Sequence, residues 1–353
     1  MRADVARHSQ QGWLPSTNLK LQRMKPFVAV ILLSFLSNEL VGQGLNWNSV
    51  DFAKRERIQP TRDILPSSAS LKRYAPYTHS QYGSTCVAFS LATARTILYA
   101  KRNGMADQAM ISANSFSPWF IYFRNKSAAD RDVSLGLDPD KAVTDILNNG
   151  VQRLMKVEFG DYYPFTDRML ANYYPPSYAE DVEEAQNYTL EEAYRLETID
   201  EMRFALSKGM PIMIGMMPSG SFEHAVGVPV WNPGVDEVAD PENAHAMVVV
   251  GYDDVKYGGA VELLNSWGNA WGSAGYIWVR YADVRRFTAG AYALSDAAAT
   301  RYRKEAPVKL MSPEAAGHDT TAWRAMSDFK YKCGTPEATI TQFKGLAPTL
   351  LVD

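Results

Sequence analysis

The stretch SQYGSTCVAFS, residues 80–90, contains Cys86, one of two cysteines in a chain of 353 residues. A Gly-Ser-Thr turn precedes Cys86 and an apolar run follows it, so we predict that the cysteine begins a helix that stops near Gly104. Unpaired N–H groups and the helix dipole stabilise a thiolate at such a position, and the thiolate is the nucleophilic form of cysteine. Cys86 is therefore a candidate nucleophile that needs a base from elsewhere in the chain.

Two later residues have the types that such a thiol requires. His245 stands at the head of the apolar run NAHAMVVVGYDD, and Asn265 stands at the end of a second apolar run, AVELLNSWG. An imidazole can accept the thiol proton, and a neighbouring amide can orient the imidazole without adding a charge. The order Cys, His, Asn is expected when a helical part supplies the nucleophile and a β part supplies the base.

Simpler interpretations of these residues remain open at this point. Cys86 could be a small buried hydrophobic residue, or it could pair with Cys333, because secreted proteins often use disulfides. Otherwise we expect Cys333 to be an ordinary thiol. His224, in EHAVGV, has a local context similar to that of His245 but no following Gly-Tyr-Asp strand end. We interpret His224 as a loop residue that lines a cleft or is solvated.

The elements that must position these residues can be predicted from the sequence. The helix after Cys86 is apolar on nearly all sides, which indicates a buried central helix. Further helices are predicted to start at Ser117-Pro118, to span 139–151 and to begin at 199, with a strand after Gly209. The runs at 246–254, 260–268 and 275–283 predict strands. A helical first half and a strand-rich second half predict an α+β fold with two lobes.

Composition excludes few classes. Hydrophobic residues make up 46% and charged residues 21% of the chain, which is ordinary for a globular protein, and the net charge of −3 gives no reason to expect nucleic acid as a partner. Because no Cys/His cluster has metal-ligand spacing, we expect no metal and no cofactor. Nothing in the sequence predicts the oligomeric state.

The N-terminal region has the order of a secretory signal. Basic residues precede an apolar run at 27–36, and small residues follow up to Gly44, so residues 24–44 predict a signal peptide. The run is too short for a membrane span, and no cysteine lies near the cleavage region to carry a lipid. Residues 1–23 form an uncertain leader, since Met24 is a possible start. We therefore expect a secreted or periplasmic protein with no membrane span in its mature form.

Several pieces, taken in this order, resemble the papain-like cysteine peptidases, and specifically pared-down members of bacterial type. The pieces are Gln81…Cys86-Val-Ala-Phe-Ser, Ser117-Pro118, His245-Ala-Met-Val-Val-Val-Gly-Tyr and Asn265-Ser-Trp-Gly…Trp271-Gly…Gly275-Tyr276-Ile277. The resemblance covers about residues 71–296, which we take as the peptidase domain. Residues 45–70 then form a linker or N-terminal arm, and residues 297–353 form a C-terminal extension of unknown role.

The resemblance implies a fold and a set of roles. A helical lobe would carry Cys86 on its central helix, and an antiparallel, β-barrel-like lobe would carry His245 and Asn265. Cys86 would be the nucleophile, His245 the acid/base and Asn265 the residue that orients it. The Gln81 side chain would form the oxyanion hole with the backbone N–H of Cys86, and Trp267 would shield the His–Asn hydrogen bond. The implied activity is hydrolysis of peptide bonds through a thioester on Cys86.

The sequence departs from the family pattern at three places near the cysteine. Gln81 stands five residues before Cys86 rather than six, Gly83 replaces a disulfide cysteine, and Val87 replaces a tryptophan. The 45–70 arm is also too short for the family's large inhibitory propeptides, so any latency must be achieved otherwise. Two alternative functions are an acyltransferase or amidase with the same residues, and a non-catalytic relative that only binds peptides.

Overall fold

The computed structural model describes residues 39–41, 44–62, 64–154 and 178–296. All of them belong to one compact unit, Ser37–Asp353. The leader 1–23, most of the predicted signal peptide, the extension 297–353 and Cys333 lie outside the described residues. Within the described part of the chain, no helix combines the length and the apolar character that a membrane crossing requires.

The described residues form eight α-helices and nine strands. The helices are α1 (Ser49–Lys54), α2 (Cys86–Arg102), α3 (Gln108–Ala113), α4 (Pro118–Asn125), α5 (Pro139–Asn149), α6 (Tyr178–Ala185), α7 (Ile199–Ser207) and α8 (Tyr281–Phe287). The strands are β1 (Glu39–Val41), β2 (Asn46–Asn48), β3 (Ser68–Ser70), β4 (Glu192–Leu196), β5 (Ile212–Met216), β6 (His245–Asp253), β7 (Ala260–Leu264), β8 (Tyr276–Arg280) and β9 (Thr288–Ser295).

Seven of these strands form one sheet in the order β4-β9-β5-β6-β7-β8, with β3 added alongside β6. Every pairing in this sheet is antiparallel. β1 and β2 pair separately as an antiparallel hairpin. Helices dominate the chain before residue 186 and the sheet dominates after it, which confirms the predicted α+β fold.

Helix α2 is the central helix of the fold. Its residues from Cys86 to Ala100 are all buried, as the apolar pattern on all sides predicts. One of them is charged: Arg95 is fully buried, its Nε donates to the carbonyl of Tyr188 at 3.0 Å, and it forms an ion pair with Asp296 at 3.4 Å. A charged side chain at this depth needs such partners, because desolvation of an unpaired guanidinium is unfavourable.

The predicted helix boundaries are confirmed by their capping contacts. The hydroxyl of Ser117 accepts the N–H of Phe120 at 3.1 Å, with Pro118 at the first position of α4. Helix α5 ends at Gly150, which has a φ of 72°. Helix α7 begins at Thr198 with a reciprocal contact to Glu201 of the capping-box type.

The loop before α2 is fixed to the loop after β7. The backbone N–H of Gln81 donates to Ser266 O at 2.8 Å, and the N–H of Gly268 donates to His79 O at 2.9 Å. The hydroxyl of Thr78 donates to Ala274 O at 2.9 Å. These bonds hold the start of the central helix beside Asn265, so they determine where the two halves of the candidate site meet.

Candidate active site

Cys86 is the first residue of α2, and its thiol is fully buried. The preceding residue, Thr85, does not cap the helix, because its hydroxyl donates to Tyr82 O at 2.8 Å instead. Backbone N–H groups of Ala246, Val87 and Cys86 itself reach the sulfur and favour the thiolate. Burial is the larger influence, however, and it raises the pKa of Cys86 to about 12.

Gly83 explains why the loop before α2 departs from the family pattern. Its φ is 60°, a conformation that side chains other than glycine rarely adopt, and a Cβ at this position would lie 2.6 Å from Val133 O. The next N–H, that of Ser84, donates to the same Val133 oxygen at 2.8 Å. A glycine is therefore required where the chain passes this close to Val133.

His245 begins β6, where it pairs in register with Met216 of β5, and it is fully buried. Its Nε2 lies 2.8 Å from Asn265 Oδ1, and the backbone N–H of Ser266 donates to that same oxygen at 2.7 Å. Because Oδ1 is an acceptor in both bonds, Nε2 carries a hydrogen, and in the neutral imidazole Nδ1 is then the acceptor. Within the described residues, Nδ1 has no hydrogen-bond partner.

The environment of His245 favours the neutral imidazole in this state. Burial lowers the pKa of His245 to about 4, while the hydrogen bond to Asn265 and the negative charge of Glu223 act in the opposite direction. Burial also raises the pKa of Cys86, so the uncharged forms of both groups are favoured here.

Trp267 covers the His245–Asn265 pair. Its ring stacks on the imidazole with centroids 4.4 Å apart and an interplanar angle of 28°. Trp267 is 6% exposed and His245 is fully buried, so the stacked ring keeps water from this side of the imidazole. Trp271 has a packing role: its indole N–H donates to Phe222 O at 3.1 Å and its ring contacts that of Phe222.

Gln81 is buried beside the start of α2, and two contacts fix its amide. The hydroxyl of Ser266 donates to Gln81 Oε1 at 2.6 Å, and Gln81 Nε2 donates to Gly83 O at 2.9 Å. An amide NH₂ group carries two hydrogens, so this bond is compatible with a second donation. The place of Gln81 in an oxyanion hole stays a prediction.

Two further residues were considered from the sequence, His224 and Cys333. His224 is exposed, and Cys333 lies outside the described residues, so the disulfide alternative stays untested. Within the described residues, no three metal-ligating side chains lie together. Sequence reasoning missed the double role of Ser266, which holds both Asn265 and Gln81. Its position directly after Asn265 was the available signal.

Comparison with known protein families finds a match over part of the chain. The papain family cysteine protease model matches residues 139–293, which include His245 and Asn265. No curated protein matches the chain.

Several solved structures share its fold. Xylellain, a cysteine protease from Xylella fastidiosa, has 21% identity and a TM-score of 0.57, covering 74% of this chain and 98% of its own. Digestive procathepsin L 3 from the Tenebrio molitor larval midgut has 17% identity and a TM-score of 0.52, covering 74% of this chain and 78% of its own. These findings confirm the predicted resemblance to papain-like cysteine peptidases and the two-lobe papain-like fold.

Proposed function

We propose that the chain is a secreted or periplasmic cysteine-type peptidase that cuts peptide bonds through a thioester on Cys86. The observation that supports the chemistry is the imidazole of His245. Asn265 and Ser266 fix its tautomer, so that Nδ1 is available as an acceptor. The residue that follows His245 is Ala246, and the backbone N–H of Ala246 contacts the Cys86 sulfur. This arrangement allows His245 Nδ1 to act as the base that accepts the proton of the Cys86 thiol.

Acylation would proceed in two steps. His245 Nδ1 accepts the proton of Cys86 Sγ, and the sulfur attacks the carbonyl carbon of the scissile bond. The negative charge that develops on the carbonyl oxygen meets the backbone N–H of Cys86 and the Gln81 amide. The C–N bond then breaks, the leaving amine takes the proton from His245, and the acyl group remains on sulfur as a thioester.

Deacylation would use the same groups, with water as the attacking molecule. Neutral His245 accepts a proton from a water molecule, whose oxygen attacks the thioester carbonyl. The C–S bond then breaks, the carboxylic acid product is released, and the proton returns to the thiol. Throughout, Asn265 keeps the ring in one orientation, and Trp267 limits the access of water to the His–Asn hydrogen bond.

The substitution Cys86→Ala tests the nucleophile, with Cys333→Ala as the matched control. We expect Cys86→Ala to abolish casein turnover and to leave the melting temperature nearly unchanged, because only one sulfur atom is lost. Cys333→Ala should retain casein turnover in the presence of a thiol reductant. Turnover by the Cys86→Ala chain would contradict the mechanism. Turnover of a small amide without casein cleavage would favour the amidase or acyltransferase alternative, and peptide binding without turnover would favour the non-catalytic one.

Export is tested by N-terminal sequencing of protein recovered from outside the cytoplasm. The basic, apolar and small-residue order of residues 23–44 leads us to expect a mature chain that begins within a few residues of Gly44. Recovery of exported protein that still carries residues 27–36 would contradict a cleaved signal.

A further inference from the structure

Val133, in the loop that follows α4, has a backbone conformation that a branched side chain rarely adopts. Its φ is 64°, and although Tyr257 and Ala274 also have positive φ values, neither of them is branched at Cβ. A β-branched residue in this region is held there by its surroundings, because the conformation is unfavourable by itself. Val133 is 1% exposed, so the contacts that hold it are internal.

Val133 contacts residues 81–85, the cysteine loop, which lead into the central helix. The backbone N–H of Ser84 donates to Val133 O at 2.8 Å. A Cβ at Gly83 would lie 3.2 Å from Val133 Cβ, so the valine side chain packs against the bare glycine backbone. Gly83 O in turn accepts a hydrogen bond from Gln81 Nε2 at 2.9 Å. A change at Val133 would therefore move the cysteine loop and, with it, the Gln81 amide.

A buried tyrosine–aspartate pair holds the turn that contains Val133. The hydroxyl of Tyr122, in α4, donates to Asp130 Oδ2, and the two residues are 0% and 1% exposed. Asp130 Oδ1 accepts the backbone N–H of Ser134 at 3.1 Å, and the Asp130 carbonyl accepts Lys126 Nζ at 2.8 Å. The Asp130 carboxylate thus joins the residue before the turn to the residue directly after Val133, and it fixes both to α4.

The Tyr122 hydroxyl is a permanent donor to this carboxylate. Burial raises the pKa of Tyr122, and the hydrogen bond to Asp130 raises it further, so Tyr122 keeps its hydrogen near neutral pH. A carboxylate buried this deeply is unfavourable unless its oxygens are hydrogen-bonded. Loss of the hydroxyl would leave Asp130 Oδ2 without this donor, and the turn would have to shift to bring the oxygen a new one.

From these contacts we propose that Val133 is a positioning residue for the active site. The Tyr122–Asp130 pair keeps Val133 at its unusual φ, and Val133 in turn fixes the cysteine loop. The proposal rests on the proposed function, because Gln81 and Cys86 belong to that site. Val133 takes no part in bond making. It keeps the Gln81 amide and the Cys86 N–H where the oxyanion would form, a placement in which an error of about 1 Å can lower the rate by about 100-fold.

Hydrogen–deuterium exchange of the Ser84 amide tests the coupling without relying on peptidase activity. The full chain is labelled and then digested, and overlapping peptides that differ by Ser84 give the exchange rate of its N–H. Tyr122→Phe removes only a hydroxyl, and it should accelerate this exchange by about 10-fold, because the turn that presents Val133 O loses a buried hydrogen bond. Tyr281→Phe is the matched control. The hydroxyl of Tyr281 also donates to a carboxylate, Asp254 Oδ1 at 2.7 Å, and its loss should leave the Ser84 exchange unchanged.

Steady-state kinetics with casein then measure the effect on the site. Val133→Gly should lower kcat by about 10- to 100-fold with KM little changed, because glycine is free to leave this φ and the side chain that packs against Gly83 is lost. Tyr122→Phe should lower kcat as well, and it is the second variant for the case that Val133→Gly does not fold. Tyr257→Gly is the control, since Tyr257 has a φ of 52° and is 39% exposed, and this chain should keep the kcat of the unmodified chain.

The outcomes separate the two proposals. Faster Ser84 exchange together with a lower kcat supports the positioning role of Val133. Unchanged Ser84 exchange overturns it, and so does faster exchange with an unchanged kcat, since the contact would then serve stability alone. If the unmodified chain cuts no peptide bond, the proposed function is wrong, and the Ser84 exchange alone decides whether the Tyr122–Asp130 pair holds the cysteine loop.

Discussion

His245 should make the folded state lose stability as the pH falls, by an amount that follows from its burial. The pKa of His245 is about 4 in the folded chain and 6.5 for an ordinary histidine. Between those values the unfolded chain binds a proton that the folded chain excludes, so unfolding becomes easier at lower pH. A difference of about 2.5 units corresponds to about 3 kcal/mol, fully present above pH 6.5 and lost progressively as the pH falls to about 4.

Guanidinium unfolding at pH 7.5 and pH 5.0 measures this effect. Over that interval the His245 contribution to the free energy of unfolding should fall by about 2 kcal/mol, which is the share of the titration completed by pH 5.0. The variant His245→Gln removes the titrating group and should show a smaller pH dependence by that amount. His224→Gln is the matched control, because it makes the same exchange at an exposed histidine.

The comparison of the unmodified chain with His245→Gln isolates His245, because every other titrating group is the same in these two chains. Burial also lowers the pKa of His79 to about 4, so absolute stability will depend on pH in all of them. Only the difference between chains is assigned to His245. Equal pH dependence in the unmodified chain and in His245→Gln would refute the reasoning that burial keeps this imidazole neutral.

Two further substitutions test the supporting residues of the site. Gln81→Ala should lower kcat by about 100- to 1000-fold with KM little changed, since an oxyanion donor acts on charge that appears in the transition state; a near-normal kcat would place Gln81 outside the oxyanion hole. Asn265→Ala should lower kcat because His245 loses the contact that fixes its tautomer, and Asn265→Gln should not restore kcat fully. If the Asn265→Ala chain keeps unchanged steady-state kinetics, the 2.8 Å bond between His245 Nε2 and Asn265 Oδ1 has no catalytic role.

The elements that carry the site could be predicted because each has a local signal. The Gly-Ser-Thr turn and the apolar run after it predict a buried helix from Cys86, and α2 begins at that residue. Ser117-Pro118 predicts the start of α4 in the same way, because a side-chain cap and a fixed φ act within one turn. The run from His245 predicts β6 because strands are short and their apolar character is concentrated.

The contacts between distant segments could not be predicted from such signals. LNWNS alternates apolar Leu45 and Trp47 with two asparagines, which is typical of a strand, but nothing in it shows that the strand lies over Cys86. Its position depends on Gly215 and Gly290, which are far away in the sequence and open space for Trp47. Residues 45–70, predicted as a linker or arm, thus contribute β2, α1 and β3 to the packed unit.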